Sequence, residues 1–452
     1  RYQVREKVPP ISTPTDAGAA GAWYASGDVT TGNVASAEIF GRGTITNTLK
    51  GQIQVTGTKI WKDENRTSRP SDITLTLYRW SDRSSEVNRE KVTTANVPAM
   101  TLTWDKTNTN EWKYTYSNLP QFDSYGALYH YKVEETTPAH YRTEYKDALG
   151  REIHNLGLVT FHVEKKWEVE NSAQKEITVG IYRTTELTIP ADSSEDGTGS
   201  SVLIGQVTLN SGNNWEWSGD SLHGTTFDQR TYGEAEEKPY LYYARELQIG
   251  STGVPAGKAG RLVEADGYRY AVKEEMIPSA LTADQAVPDS MTTVITNTQL
   301  TDLTVVKNWM DNHNQYNTRP DTPDDLELTL YRKAEGDTDF TKLTDTELTG
   351  ITVEKTAGTG AEVNRWTYTW KNLPATDQNG KSYTYYVWET VPAVNPGSTF
   401  HGAAYGGRQY VCSQGTDPAY PTEIRKDADT GKTNISRHAG LTNVLTAHGI
   451  SL

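Results

Sequence analysis

The stretch Leu303-Thr304-Val305-Val306-Lys307-Asn308-Trp309 puts a lysine where a strand can least accommodate one. Side chains two apart on a strand share a face, so Lys307 falls in line with Leu303, Val305 and Trp309. The same alternation runs through Phe161, Val163, Lys165 and Trp167. It recurs in Ile53, Val55, Gly57, Lys59 and Trp61, where Gly57 leaves a gap in the apolar row just before the lysine. A buried ammonium is costly unless something compensates its lost hydration. Three occurrences in one chain point to a purpose for these lysines.

The surrounding sequence reads as all-β. Short runs rich in Thr, Tyr, Val and Trp are punctuated by turn residues, the pattern of tandem sandwiches. A chain of 452 residues exceeds one ordinary core, and about three domains is the expectation. The formal charge of −14 argues against nucleic acid and anionic lipid as partners. Cys412 is the single cysteine, so no intrachain disulfide can form. No signal peptide or long apolar span is evident. The abrupt start at Arg1-Tyr2-Gln3-Val4 reads as the interior of a strand, which implies a fragment of a longer protein.

Ordered landmarks repeat along the chain. Tyr-x-Val-x-Glu occurs at Tyr2/Val4/Glu6, Tyr131/Val133/Glu135, Tyr270/Val272/Glu274 and Tyr385/Val387/Glu389, each glutamate on the parity of the apolar residues. An asparagine on the apolar side of a short strand closes each unit, at Asn47, Asn155, Asn297 and Asn443. Between them lie Leu75-Thr76-Leu77-Tyr78-Arg79, Val179-Gly180-Ile181-Tyr182-Arg183 and Leu328-Thr329-Leu330-Tyr331-Arg332, then tryptophan strands at Trp112, Trp215 and Trp366. Arg69-Pro70 and Arg319-Pro320 mark matching turns that the second unit lacks. The expected divisions are 51–157, 158–299 and 300–452 as full units. Residues 1–50, with Glu6 and Asn47 but no lysine strand, read as the last part of a truncated repeat. The short spacing from each asparagine to the next lysine predicts stiff joints between units.

In this ordered set the chain resembles the Cna protein B-type domain, the stalk repeat of Gram-positive collagen adhesins and many pilins. Lys-x-Trp, Leu-Tyr-Arg, Asn118-Leu119-Pro120 and Asn372-Leu373-Pro374, Tyr-x-Val-x-Glu, and Thr296-Asn297 and Thr442-Asn443 carry the resemblance. It implies immunoglobulin-like β-sandwiches with an intramolecular Lys–Asn isopeptide bond promoted by a buried acid. The implied sets are Lys59–Asn155 with Glu135, Lys165–Asn297 with Glu274, and Lys307–Asn443 with Glu389. In the second set strand parity selects Glu274 over its neighbour Glu275.

The chemistry of such sets is coherent. Burial lowers an amine pKa and raises a carboxyl pKa, and a neutral lysine is a nucleophile. A protonated glutamate can hydrogen-bond the asparagine carbonyl, polarise it and relay protons as ammonia leaves. This is a single self-modification, so no enzyme turnover and no cofactor are expected. The plainer reading, a buried Lys–Glu ion pair with asparagine satisfying backbone groups, predicts no bond.

The expected function is the stalk or shaft of an extracellular, cell-wall-anchored adhesin or pilus, with neighbouring repeats of the parent chain as its partners. The alternative is an adhesive module for an unknown host or neighbouring-cell ligand, centred on the Tyr- and Gly-rich segment between Glu389 and Asn443. Tyr240, Tyr242 and Tyr243 read as an insertion in the second unit. Asp192 to Gly197 hints at a calcium loop, but Leu203 stands where the closing carboxylate would be; an acidic loop is the reading. Nine histidines lie scattered without metal-ligand spacing. Asp311-Asn312-His313-Asn314 reads as a solvated turn, and Cys412 as a lone thiol in a long loop.

Overall fold

The computed structural model describes residues 23–26, 47–190, 201–255, 261–282, 285–315, 317–389, 409–412 and 439–446. Among them the regular structure is strand with short 3₁₀ turns, and no α-helix is present. The chain forms two compact units. One takes in residues 1–161 with 219–241 and 281–291; the other takes in 162–218, 242–280 and 292–452. The architecture is immunoglobulin-like β-sandwich.

In the first unit β1 (Gln52–Lys62), β2 (Leu75–Ser81), β3 (Thr101–Asp105), β4 (Glu111–Pro120), β5 (Tyr129–Glu135), β6 (Tyr141–Tyr145) and β7 (Glu152–Gly157) build one sandwich. One sheet has the order β3-β4-β1-β7-β6; the other pairs β2 with β5 and with Glu90–Lys91. Val55, Tyr114, Tyr116, Leu119 and Ile153 from the first sheet pack on Leu77, Tyr131 and Val133 from the second. Each such side chain contributes about 1.5–3 kcal/mol by leaving water. The first and last strands lie side by side and parallel, Lys59 opposite Ile153 and Trp61 opposite Asn155. The gap at Gly57 has a steric cause. Tyr114, its cross-strand partner, reaches over the glycine to donate to the Gly150 carbonyl, and a Cβ at Gly57 would lie 2.1 Å from the Tyr114 hydroxyl.

Segments from within the expected second repeat are held on this sandwich. Asp228 accepts from Arg142 Nη2 at 2.8 Å and from Nε at 3.2 Å. Asp289 accepts from Arg66 Nε at 2.8 Å.

The second unit contains β8 (Thr160–Glu168), β9 (Ile177–Thr184), β10 (Leu241–Ile249), β11 (Tyr268–Ile277) and β12 (Ser290–Met310). The inward parity of β8 holds: Phe161 and Val163 are fully buried and Lys165 is buried. β8 lies beside β12, which lies beside β11, and β9 lies beside β10 in a second sheet. The 21-residue β12 carries both Asn297 and Lys307. It pairs antiparallel with β11 from Thr292 to Leu300, then with β14 (Arg365–Pro374) from Leu300 to Asn308. The short spacing between asparagine and lysine is therefore one uninterrupted strand.

β13 (Leu328–Ala334) pairs with β15 (Tyr383–Glu389), Leu328 opposite Glu389. The first sandwich has the same pairing, Leu75 opposite Glu135. β16 (Ala439–Thr446) runs parallel to β12 with Leu441 opposite Lys307 and Asn443 opposite Trp309, the register of Ile153 and Asn155. Cys412, expected in a loop, lies in the strand Gln409–Cys412 opposite Asn443.

Candidate functional site

In the first sandwich β1, β5 and β7 bring three buried polar side chains together. Lys59 and Asn155 are fully buried, and the Lys59 and Glu135 side chains are both shut off from solvent. Glu135 spans the other two: Oε2 lies 3.2 Å from Lys59 Nζ, and Oε1 accepts from Asn155 Nδ2 at 2.7 Å. The Lys59–Glu135 contact has ion-pair distance without hydrogen-bond alignment. Trp61 places its ring 4.7 Å from Nζ. Desolvation pulls the Lys59 amine down to about 8, only partly opposed by Glu135. It pushes the Glu135 carboxyl up, against the pull of Lys59 and Asn155. Both shifts favour a neutral amine beside a protonated acid.

Two further groups complete the set, and neither was expected from the sequence. Thr143 Oγ1 on β6 donates to Asn155 Oδ1 at 2.9 Å. The Asn155 carbonyl thus faces a threonine while its amide nitrogen faces the acid, whereas the expected arrangement had Glu135 on the carbonyl. Tyr145, from the same strand, accepts the backbone N–H of Glu135 at 2.7 Å.

The second set corrects the expected acid. Asn297 Nδ2 donates to Glu246 Oε1 at 2.7 Å, and Glu246 is fully buried on β10. Glu274 points elsewhere. Its carboxylate is paired with Arg245 at 2.7 Å and with Arg261, and it accepts the Glu246 backbone N–H at 2.7 Å. The reason is topological: β11 neighbours the asparagine strand, as β6 does in the first sandwich, while β10 neighbours the Leu-Tyr-Arg-type strand, as β5 does. Tyr242-x-Ala244-x-Glu246 is therefore the counterpart of Tyr131-x-Val133-x-Glu135. Burial pushes Glu246 up and pulls Lys165 down to about 7. Lys165 Nζ donates to the Lys166 carbonyl at 2.8 Å and sits 3.8 Å from the Trp167 ring centre. Asn297 Oδ1 has no hydrogen-bond partner among the described residues.

In the third set Lys307 Nζ lies 3.1 Å from Glu389 Oε2, both side chains fully buried, with Trp309 4.5 Å from the amine. Asn443 is brought to this lysine strand in the register given above. Glu6 lies outside the described residues. Asn47 begins the strand Asn47–Lys50, which pairs antiparallel with Trp23–Ser26.

A repeated clasp flanks the first and third sets. Asp63 accepts from Arg69 Nε at 2.9 Å and from Tyr141 at 2.8 Å. Asp311 accepts from Arg319 Nε at 2.6 Å. Asp311, expected in a solvated turn, is buried. The guanidinium planes stand 5.2 Å from Trp61 and 5.5 Å from Trp309. The sequence signal was Lys-x-Trp-x-Asp followed by Arg-Pro; Val169 replaces the aspartate in the second set. The segment Asp192–Gly197 and the Tyr405 and Tyr420 clusters lie outside the described residues. Among the described residues no group of His, Cys, Asp and Glu could hold a metal ion, and no helix is long and apolar enough to cross a membrane.

The Cna protein B-type domain matches residues 55–156 and 303–400. The collagen adhesin of Staphylococcus aureus is 25% identical over 389 residues, covering 73% of this chain and 29% of the adhesin. The chain thus spans less than a third of that relative. Among solved structures, a single B repeat unit of the collagen-binding surface protein of Staphylococcus aureus covers 54% of this chain and 97% of its own, at 21% identity and a TM-score of 0.17. The pilus adhesin SpaC from Lactobacillus rhamnosus GG covers 88% and 43%, at 11% identity and a TM-score of 0.23. A streptococcal ancillary pilin covers 86% and 99%, at 14% identity and a TM-score of 0.22. Over residues 55–156 and 303–400 the chain is thus similar to the Cna protein B-type domain family.

Proposed function

We propose that the chain is a stalk or shaft segment of a Gram-positive surface adhesin or pilus, built of repeats that lock themselves with Lys–Asn amide bonds. The repeats are 51–157, 158–299 and 300–452, and the bonds are Lys59–Asn155, Lys165–Asn297 and Lys307–Asn443. Glu135, Glu246 and Glu389 act as their proton relays. The observation that carries this reading is the Glu135 carboxylate, with one oxygen at the lysine amine and the other at the amide nitrogen that must leave.

That placement suits a two-way proton relay. The lone pair of neutral Lys59 Nζ attacks Asn155 Cγ, and the carbonyl electron pair moves onto Oδ1. Glu135 takes a proton from Nζ at one oxygen and delivers one to Nδ2 from the other. The Cγ–Nδ2 bond breaks, ammonia departs, and the acid returns to its protonated form. The apolar enclosure of Trp61, Tyr131 and Val133 keeps water from competing for Cγ.

The mechanical consequence follows from the strand order. Lys59 lies in the first strand of its sandwich and Asn155 in the last, side by side. A bond between them carries tension past everything in between. An amide is also insensitive to reduction, which suits an exposed surface protein without cysteine pairs. Single-molecule stretching of the full chain tests this. Extension should never include the segments between each lysine and its asparagine. Release of those segments under load would refute the stalk reading.

A further inference from the structure

We propose that Thr143 is a catalytic residue of the first crosslink, donating a hydrogen bond to the carbonyl oxygen on which charge develops, and that the second repeat runs the same reaction without such a donor. This rests on the amide-bond reading above and adds the group that polarises the carbonyl.

The strand next to the asparagine strand supplies one residue directly opposite each asparagine. In the first sandwich that residue is Thr143, in the second it is Val272, and in the third it is Cys412. Thr143 Oγ1 donates to Asn155 Oδ1 at 2.9 Å. Glu135 is already engaged by Lys59 and by Asn155 Nδ2. Val272 is buried and has no polar side-chain atom to offer, and Asn297 Oδ1 is buried without a partner among the described residues. Both repeats hold a lysine, an acid and an asparagine, and the first has a hydroxyl opposite its asparagine where the second has an alkyl group.

When Lys59 Nζ bonds to Asn155 Cγ, the carbonyl pair becomes an alkoxide-like oxygen at Oδ1. A fixed donor at that atom stabilises the transition state more than the ground state, in a site from which water is excluded. The Thr143 proton is not transferred. It stays on Oγ1 while Glu135 moves protons between Nζ and Nδ2, so the overall balance is unchanged: one amide formed, one ammonia released. Removing a comparable donor from an acyl-transfer site costs about 100-fold in rate.

The experiment follows crosslinking in the full chain made by cell-free translation, quenched at intervals and mapped by peptide mass spectrometry. Thr143→Val should slow formation of the Lys59–Asn155 peptide by about 100-fold, while the Lys165–Asn297 peptide forms at the parent rate in the same molecules. Thr143→Ser keeps the donor and should stay within a few-fold of the parent. Val272→Thr should accelerate the Lys165–Asn297 link. A Thr143→Val chain that crosslinks as fast as its parent, or a Val272→Thr chain with no faster second link, overturns the proposal and leaves the amide-bond reading intact. Absence of both branched peptides from the parent chain overturns the two together.

Discussion

Replacing Glu135 by Gln keeps nearly the same volume beside Lys59 and Asn155 but removes the acid that relays protons. The first crosslink should then fail, and the parent–variant difference can be sized from the chain. A Lys59–Asn155 bond would close a loop of about 100 residues and so constrain the unfolded state by about 5 kcal/mol on disulfide arithmetic. A buried amine left without its carboxylate adds about 3 kcal/mol more. Since about 1 kcal/mol moves the melting temperature of such a domain by about 4–8 °C, the first sandwich should melt at least about 30 °C lower. Asn155→Ala separates the two contributions, because it abolishes the bond but keeps the Lys59–Glu135 pair at 3.2 Å. Calorimetry of the full chains, with intact mass taken on the same samples, reads both quantities. A Glu135→Gln chain that still lacks the mass of the first ammonia, or one that regains it yet melts with the parent, refutes the reasoning.

Other outcomes follow from the same geometry. Asp63→Asn should cost about 3 kcal/mol, read as a lower urea midpoint, because Arg69 loses a buried partner. The reactive pair must hold one proton, on the acid and not the amine. Crosslinking should therefore fall as the pH drops through the lysine value, about 8 in the first repeat and about 7 in the second, because the amine protonates, and fall again at higher pH as the acid ionises. Time courses mapped peptide by peptide across a pH series would show the second repeat's acidic limb lying at lower pH than the first's. Glu274 favours the proton on both Glu246 and Lys165, so Glu274→Gln should move the second repeat's whole window to lower pH. An Arg261→Gln change should move it up, since Arg261 opposes the proton on Glu246; unmoved windows would mean Glu274 only braces the strand.

Strand parity placed Lys59, Lys165 and Lys307 inside, and the structure has all three buried. Period-two patterning reports which way a side chain faces, so these positions were legible. It does not report which sheet a strand joins. Tyr270-x-Val272-x-Glu274 satisfies the glutamate pattern as well as Tyr131-x-Val133-x-Glu135 does, yet its strand borders the asparagine strand and its acid is occupied by Arg245 and Arg261. Glu246 was hidden because Ala244 replaces the expected valine in a stretch that reads as insertion. Thr143 and Tyr145 act through partners distant in sequence, at Asn155 and Glu135, and no local pattern marks a cross-strand neighbour. Asp311 looked solvated because Asn312, His313 and Asn314 follow it; its burial is set by Arg319, eight residues on.

Intact mass of the full chain, followed by peptide mapping, tests the central claim most directly. The account predicts a mass short of the sequence value by one ammonia for each repeat, with branched peptides joining Lys59 to Asn155, Lys165 to Asn297 and Lys307 to Asn443. A chain at its full sequence mass, with each of those lysines recovered in a linear peptide, would contradict it.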